Sequence, residues 1–474
     1  MAQPVVDLPR EFNVAVEFVD KNVAEGRGDK VALFYGDQTY TYRQVQELTN
    51  RVGNGLLALG VEPEQRVMLL LLDTPEFVGS FFGAIKIGAV PVPVNTLLKA
   101  PDYLYMLRDS RAKVLIVSEP LLAEVGSVLR QAPRLEHVVV VGKAQGPQHD
   151  FARWVAGASP ALEPADTTRD DVALWLYSSG STGFPKGVVH LHHDMVYCAD
   201  TYARQVLGIT ESDRTFSAAK LFFAYGLGDN LYFPFRVGAQ AVLYPQRPTP
   251  EGMFEVIHRY KPTIFYGVPT LYAGMLQVKE AEKRYDLSSL RLAISAGEAL
   301  PAELYKRWRE RFGVELMDGI GTTEILHIFI SNCPGEVKPG ASGKVVPGYE
   351  ARIVDETGHA VKPGEIGNLQ VKGDSICAYY WNQHEKTKQA IQGEWIQTGD
   401  KYYQDEEGFF WYCGRTDDML KVGGIWVSPV EVEACLVGHP AVLEAAVVGR
   451  EDEERLVKPK AFVVLKEGYA PSPE

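Results

Sequence analysis

The sequence predicts an α/β protein with a large N-terminal domain and a small α+β C-terminal domain, and three observations lead there. Short apolar strands alternate with amphipathic helices in two long series. After Gly348 the pattern changes to period-two runs. At 474 residues the chain is too long for one hydrophobic core and predicts two or three domains. The large domain is expected over 1–416, as two α/β subdomains with parallel-rich sheets and a small β-barrel-like or antiparallel subdomain over about 345–416. The small domain is expected over 417–474.

The first series opens with a strand at Val31–Phe34 and the Gly36-Asp37 turn. Between Tyr42 and Leu59 the apolar residues Val45, Leu48, Val52, Leu56 and Leu59 recur at helical spacing and stop at Gly60, so this stretch predicts an amphipathic helix. Strand and helix then alternate: strand Val67–Leu72, helix from Pro75, strand Val90–Val94, helix from Pro101, strand Val114–Val117. The second series runs through "AQAVLYP", "MFEVIHRYKP", "TIFYGVP" and "LRLAISAGEAL", then a helix over Pro301–Phe312 and "VELMDGIGTTE". Beyond Gly348, "YEARIVDETGHAVKPGEIGNLQVKG" places two alternating runs around a turn at Asp355–Gly358. A helix over Pro429–Val437 and strands near Ala445–Val448 and Ala461–Leu465 begin the small domain.

Composition narrows the function. With 46% hydrophobic and 23% charged residues the chain reads as an ordinary soluble protein. Its N-terminus has no basic segment followed by an apolar core, and the apolar region Val67–Val94 is broken by Asp73, Pro75, Glu76, Lys86, Pro91 and Pro93, which excludes a membrane span there. Five well-separated cysteines argue against a disulfide framework and fit a reducing cytoplasm. A net charge of −13 disfavours nucleic acid or anionic membrane as partner. Any polyphosphate must therefore meet a local positive field.

One stretch suggests such a field. "LYSSGSTGFPKGVVHLHH" (176–193) fails the Walker spacing, because Lys186 follows Pro185 and precedes Gly187, and it fails the dinucleotide pattern as well. What remains is a strand, Val172–Tyr177, a loop of small residues, and a strand, Gly187–His192. The loop could wrap a polyphosphate with backbone N–H groups and Lys186, or be a solvated hairpin. "HLHH" (His190, His192, His193) lacks Cys or carboxylate partners at metal-ligand spacing and reads as a strand end.

Further turns fall at strand ends: "SAGEAL" (295–300), "DGIGTTE" (318–324), "TGD" (398–400) and "GRTDD" (414–418). In a parallel sheet, ligands gather at C-terminal strand ends. Together, in this order, these segments resemble the adenylate-forming superfamily of acyl-CoA synthetases, luciferases and peptide-synthetase adenylation domains. Within it, "KLFFAYGLGDNLYFPF" (220–235), "DGIGTTEILHIF" and "GRTDDMLKVGGIWVSPVEVE" resemble the aromatic acid CoA ligases, the benzoate–CoA ligases most of all.

The resemblance implies ATP, Mg2+ and coenzyme A, with benzoate as the acid, and a ligase that passes through an acyl-adenylate. Ser178, Ser179, Gly180, Ser181, Thr182, Gly183 and Lys186 would close over the β- and γ-phosphates. Ala296, Gly297 and Glu298 would wall the adenine, and Asp318 and Gly319 would form the base-binding turn. Ile320 stands where most relatives have an aromatic residue, so base packing should be aliphatic. Thr323 would touch the α-phosphate, Glu324 would hold magnesium, Asp400 would accept from the ribose hydroxyls and Arg415 would add a ribose or phosphate contact.

For the acid, Phe222–Gly228 contain no charge where amino-acid-activating relatives carry an Asp, which disfavours an amino acid substrate. Phe223, Ala224, Tyr225, Gly321 and Ile328 suit one flat ring, with His327 near the carboxylate or else a satisfied core histidine. Asp417 matches the family's hinge, Lys421 would act on the acyl carboxyl in thioester formation, and Gly423 and Gly424 would leave width for the pantetheine arm. The family's adenylating lysine lies in a distal Gly-Lys segment that this sequence does not reach, so part of the small domain is expected to follow "EGYAPSPE". Alternatives are a ligase for a substituted benzoate or another small acid, and a protein that binds adenylate without turnover. A second copy of the chain is the one macromolecular partner expected.

Overall fold

The computed structural model describes residues 6–179, 184–416, 419–422, 425–451 and 457–472. The candidate positions Gly180, Ser181, Thr182, Gly183, Asp417, Gly423 and Gly424 lie outside the described residues.

The first parallel sheet has strand order Val90–Pro93, Arg66–Leu70, Val114–Ser118, His137–Val141, His149–Asp150. Helix Pro75–Lys86 starts on its proline, and all of its residues but Glu76 are buried. Its neighbour Tyr42–Ala58 is closed by a reciprocal cap between Thr41 and Gln44 and turns Val45, Val52 and Leu56 inward. Lys86 ends inside this packing, which is tolerable only because its ammonium meets Asp20 (2.8 Å) and Asn50 (2.7 Å).

The second sheet has nine strands. Its parallel centre comprises Leu316–Gly321, Leu292–Ser295, Ile264–Gly267, Arg214–Ser217, Gln240–Leu243 and Val31–Tyr35. Antiparallel strands extend both ends: Gln38–Thr41 on one side, Ile328–Ser331 and Lys344–Val345 on the other.

Two features differ from the linear expectation. Val31–Tyr35 does not join the first sheet; Leu33 pairs with Ala241, more than two hundred residues on, and Ala32 and Leu33 are buried in the core that both sheets share. Arg214–Ser217, with three polar residues in four, shows no strand pattern yet lies mid-sheet, where its Thr and Ser oxygens bond to Asn230 and Asp229.

Val172–Ser178 and Lys186–Leu191 form an antiparallel pair, and Tyr379–Tyr380 adds a third strand along Val188–Val189. The strand ends at Leu191; His192 and His193 open the helix His192–Cys198 instead of prolonging the strand. Glu350–Val354, Gly367–Lys372, Trp395–Gln404, Ile391–Gln392 and Phe410–Arg415 make the expected antiparallel unit, an open sheet centred on Trp395–Gln404. The C-terminal part begins with the pair Leu420–Val422 and Ile425–Val427. The helix Pro429–Val437 follows, its cap Ser428 donating to the Cys413 carbonyl, and then the paired strands Val442–Glu451 and Val457–Leu465. Among the described residues no helix is long and apolar enough to cross a membrane.

Gly343 marks the tightest crossing between sheets. Its φ is +111°, and a Cβ there would lie 1.9 Å from the Ser331 carbonyl carbon. Gly343→Ala is expected to destabilise by about 2 kcal/mol or more. Thermal unfolding followed by circular dichroism reads this as a drop of several degrees, and an unchanged midpoint would show that the crossing relaxes freely.

Candidate active site

Two cavities open side by side above the C-terminal ends of the parallel strands and share the wall Phe222, Phe223, Thr322 and Thr323. The first, about 810 Å3, is lined by Phe223, Ala224, Tyr225, Gly321, His327 and Ile328, by Ala296 and Gly297, and by Lys220 and Arg247 on another side. The second, about 980 Å3, is lined by Ser178, Ser179, Lys186, Thr323, Glu324, Tyr380, Thr398, Gly399 and Arg415.

The dividing wall is a strained turn. After strand Leu316–Gly321, one helical turn, Thr323–Ile325, ends on Leu326 at φ +71°, a conformation costly for a leucine. Three consecutive carbonyls of the turn are each met by a donor from elsewhere. His190 Nε2 donates to Thr323 O (2.8 Å), the Cys377 N–H to Glu324 O (2.7 Å) and the Ser375 hydroxyl to Ile325 O (2.8 Å). The same ring is anchored on its other side, where Nδ1 stands 2.7 Å from Asp194 Oδ2. Of the other two histidines, His192 accepts from Val14 N–H (3.0 Å), and His193 places one nitrogen on Arg169 O (3.2 Å) and the other on Asp374 O (2.7 Å).

Held this way, the Glu324 side chain collects three donors on one oxygen: the hydroxyls of Ser178 (3.1 Å) and Tyr380 (2.9 Å) and the Lys186 ammonium (3.4 Å). Ser178 and Lys186 are the two flanks of the glycine-rich loop, so one carboxylate ties both together. The donor set also fits magnesium, a hard cation that takes oxygen ligands and commonly uses one protein carboxylate beside substrate phosphates. Across the cavity, Arg415 donates to Asp400 (3.0 Å) and to Thr398 O (3.2 Å). Burial outweighs this arginine and moves the Asp400 carboxyl above its ordinary range.

The acid-slot candidates converge on the first cavity, with one surprise in their chemistry. The Tyr225 hydroxyl is already committed to the carbonyls of Gly267 (3.3 Å) and Ile294 (3.2 Å). The His327 side chain is wholly buried among the rings of Phe233, Tyr202 and Tyr225, its Nε2 3.1 Å from both Tyr225 O and Asp229 Oδ1. Burial pulls this imidazole down to about 3 and pushes the Asp229 carboxyl well up, so the pair is held neutral. A neutral ring cannot serve as a charge partner for a substrate carboxylate.

The remaining candidates are scattered. Asp318 and Gly319 lie within the strand Leu316–Gly321 instead of a turn, both buried, and the Asp318 carboxyl accepts weakly from Leu300 N–H (3.5 Å). Ile320 is partly exposed on the same strand; Gly297 and Glu298 are exposed just past Ser295. Lys421 belongs to the short strand Leu420–Val422. Sequence reasoning missed His190, Tyr380, Ser375 and Asp229, whose roles depend on pairings between distant segments. Only the carboxylate four residues after His190 was a local signal.

The His327 geometry has a measurable consequence. As the pH falls below 6.5, the ordinary value for histidine, the unfolded chain gains a proton here that the folded chain refuses until about 3. This contribution to stability is therefore complete above pH 6.5 and is lost between pH 6.5 and 3, at up to about 1.4 kcal/mol per pH unit. His327→Gln should flatten the acid side of a stability–pH curve by that one proton, and parallel curves for the two proteins would contradict the assignment.

Comparison with known proteins agrees with this geometry. Residues 20–381 match the model of the AMP-binding enzyme family, and residues 431–474 that of the AMP-binding enzyme C-terminal domain. The benzoate–CoA ligase of Thauera aromatica is 51% identical over 98% of this chain and 88% of its own length. Among solved structures, the anthranilate CoA ligase AuaEII in complex with anthranoyl-AMP superposes with a TM-score of 0.95 at 49% identity, over 99% of this chain and 90% of that one. A benzoate CoA ligase from Burkholderia xenovorans LB400 superposes at 0.90 and 46%, over 97% and 91%. With its parallel sheets, its paired cavities and both family matches in place, the chain belongs to the AMP-binding enzymes of the adenylate-forming, acyl-CoA synthetase superfamily.

Proposed function

We propose that this protein joins an aromatic carboxylic acid to coenzyme A at the expense of ATP, through an acyl-adenylate, and that the acid is benzoate. The observation that carries the reading is the contrast between adjoining cavities: a slot of ring faces and apolar side chains on one side of the Thr322–Thr323 wall, and Lys186, Arg415 and Glu324 on the other. A benzoate ring in the first would present its carboxylate at the wall, and a nucleotide in the second would bring its α-phosphorus to the same place. Attack by the carboxylate forms the acyl–phosphate bond and expels pyrophosphate. Lys186 and the loop hydroxyls would meet the charge that accumulates on the leaving group, and Thr323 the α-phosphate. Magnesium, held by Glu324, would neutralise phosphate charge. In the second half-reaction the thiol of coenzyme A attacks the acyl carbon and AMP leaves; Lys421 would act on the acyl group, and Gly423 and Gly424 would leave width for the pantetheine.

Benzoate is preferred because the polar atom of Tyr225 is occupied within the protein and leaves only a ring face. A second reading has its own support. His327 Nδ1 is buried with no hydrogen-bond partner, so a ring bearing an amino or hydroxyl donor would satisfy it.

A panel of benzoate, 2-aminobenzoate, the hydroxybenzoates and propionate, assayed separately for pyrophosphate and thioester, decides between these. Thioester formed fastest from benzoate supports the first reading; preference for 2-aminobenzoate supports the second; pyrophosphate from propionate alone would remove both. Ala224→Phe should fill the slot and reduce benzoate turnover by about a hundredfold or more while sparing propionate. Equal losses on the two acids would mean that Ala224 does not bound the ring.

A further inference from the structure

We propose that Tyr380 is a positioning residue for the phosphate chemistry: its hydroxyl holds Glu324 and its ring face holds Lys186, keeping both in place when nucleotide phosphates replace their contact with each other. The inference rests on the adenylating reading above.

Tyr380 is almost fully buried, 5% exposed, and reaches both groups at once. Its hydroxyl donates to Glu324 Oε1 at 2.9 Å, and the Lys186 ammonium lies 4.2 Å from its ring centroid. The ammonium-to-carboxylate distance, 3.4 Å, is long for a charge-assisted hydrogen bond, whereas 4.2 Å is close for a cation over a ring. Lys186 is thus held by the tyrosine ring as well as by the glutamate. A ring face attracts the ammonium without accepting a directed hydrogen bond, so it competes less with an arriving phosphate than a second carboxylate would.

The platform is rigid because its backbone is bonded to both partners' elements. Ala378 N–H and Trp381 N–H donate to Val189 O (2.9 Å) and Gly187 O (2.8 Å) on the strand that begins at Lys186, and Cys377 N–H donates to Glu324 O (2.7 Å). Tyr380 N–H is taken by Thr387 Oγ1 (3.1 Å). Burial, then the neighbouring Glu324, keeps the phenol protonated far above neutral pH, so it remains a donor throughout the working range.

Two substitutions in the full chain separate the two contacts. Tyr380→Phe keeps the ring and loses the hydroxyl; Tyr380→Leu loses both. ATP affinity by calorimetry, benzoate-dependent ATP–pyrophosphate exchange, benzoate affinity and thermal midpoint are measured for each. Tyr380→Phe should bind ATP within about twofold of wild type and lower the exchange rate about tenfold or more. Tyr380→Leu should in addition weaken ATP binding about fivefold or more. Benzoate affinity should stay at its wild-type value in both, since the acid slot is the other cavity, and the thermal midpoint should stay near wild type in Tyr380→Phe, which keeps the buried ring. Identical behaviour of the two variants, or a joint fall in ATP affinity, benzoate affinity and midpoint, would overturn the proposal. If wild type releases no pyrophosphate with any aromatic acid while Tyr380→Leu still binds ATP more weakly than Tyr380→Phe, the ring's role stands and the acid assignment fails.

Discussion

A turn that is unfavourable by itself organises the site. Leu326 at φ +71° costs on the order of 1–3 kcal/mol, and the carbonyls of the turn before it have no helix to continue into. Donors from His190, Cys377 and Ser375 meet three of them in succession. At about 0.5–1.5 kcal/mol net per hydrogen bond, the three bonds together are of the same size as the strain. The turn is therefore held jointly by the hairpin carrying His190 and by the segment 375–377. Those same segments bring Lys186 and Tyr380 to Glu324, so the geometry of the carboxylate and of its partners is established in one packing event.

Electrostatics divides the region in two. On the acid side, every buried ionisable group near the slot is driven toward its neutral form: His327 by burial among four aromatic rings, and Asp229 by burial beside it. On the phosphate side the ionisable groups stand in pairs of opposite sign, Lys186 with Glu324 and Arg415 with Asp400. In a chain of net charge −13, that local concentration of Lys and Arg beside the hydroxyl residues Ser178 and Ser179 is what gives a polyphosphate a favourable place to bind. The Thr322–Thr323 wall separates a medium suited to a benzene ring from one suited to a triphosphate over the width of a few atoms.

The His190, His192 and His193 cluster illustrates how a polar run can be structural and still matter to the site. Each ring bonds a different distant segment: Thr323, Val14, or Arg169 together with Asp374. Nothing about the run indicates which of the three touches the site, because that depends on the strand ending at Leu191, where side chains stop alternating and begin to follow the helix.

From the sequence alone came the alternating α/β series, the helices Tyr42–Ala58, Pro75–Lys86 and Pro429–Val437, the antiparallel unit after Gly348, and the positions of the glycine-rich turns. These are local matters, governed by hydrophobic period, helix caps and prolines at first turns, and such signals act within a few residues. Ser178, Lys186, Glu324 and Arg415 could be singled out because the ordered series of short motifs that holds them resembles the adenylate-forming superfamily. Tertiary structure alone decided that Val31–Tyr35 belongs to the second sheet, that Arg214–Ser217 is a central strand, and that Asp318 lies buried within a strand. It also decided that His327 is neutral and that His190 and Tyr380 hold the turn and its glutamate. Strand order, burial and the protonation that burial imposes are set by contacts across one to two hundred residues, and no pattern in the neighbouring sequence encodes a partner at that distance.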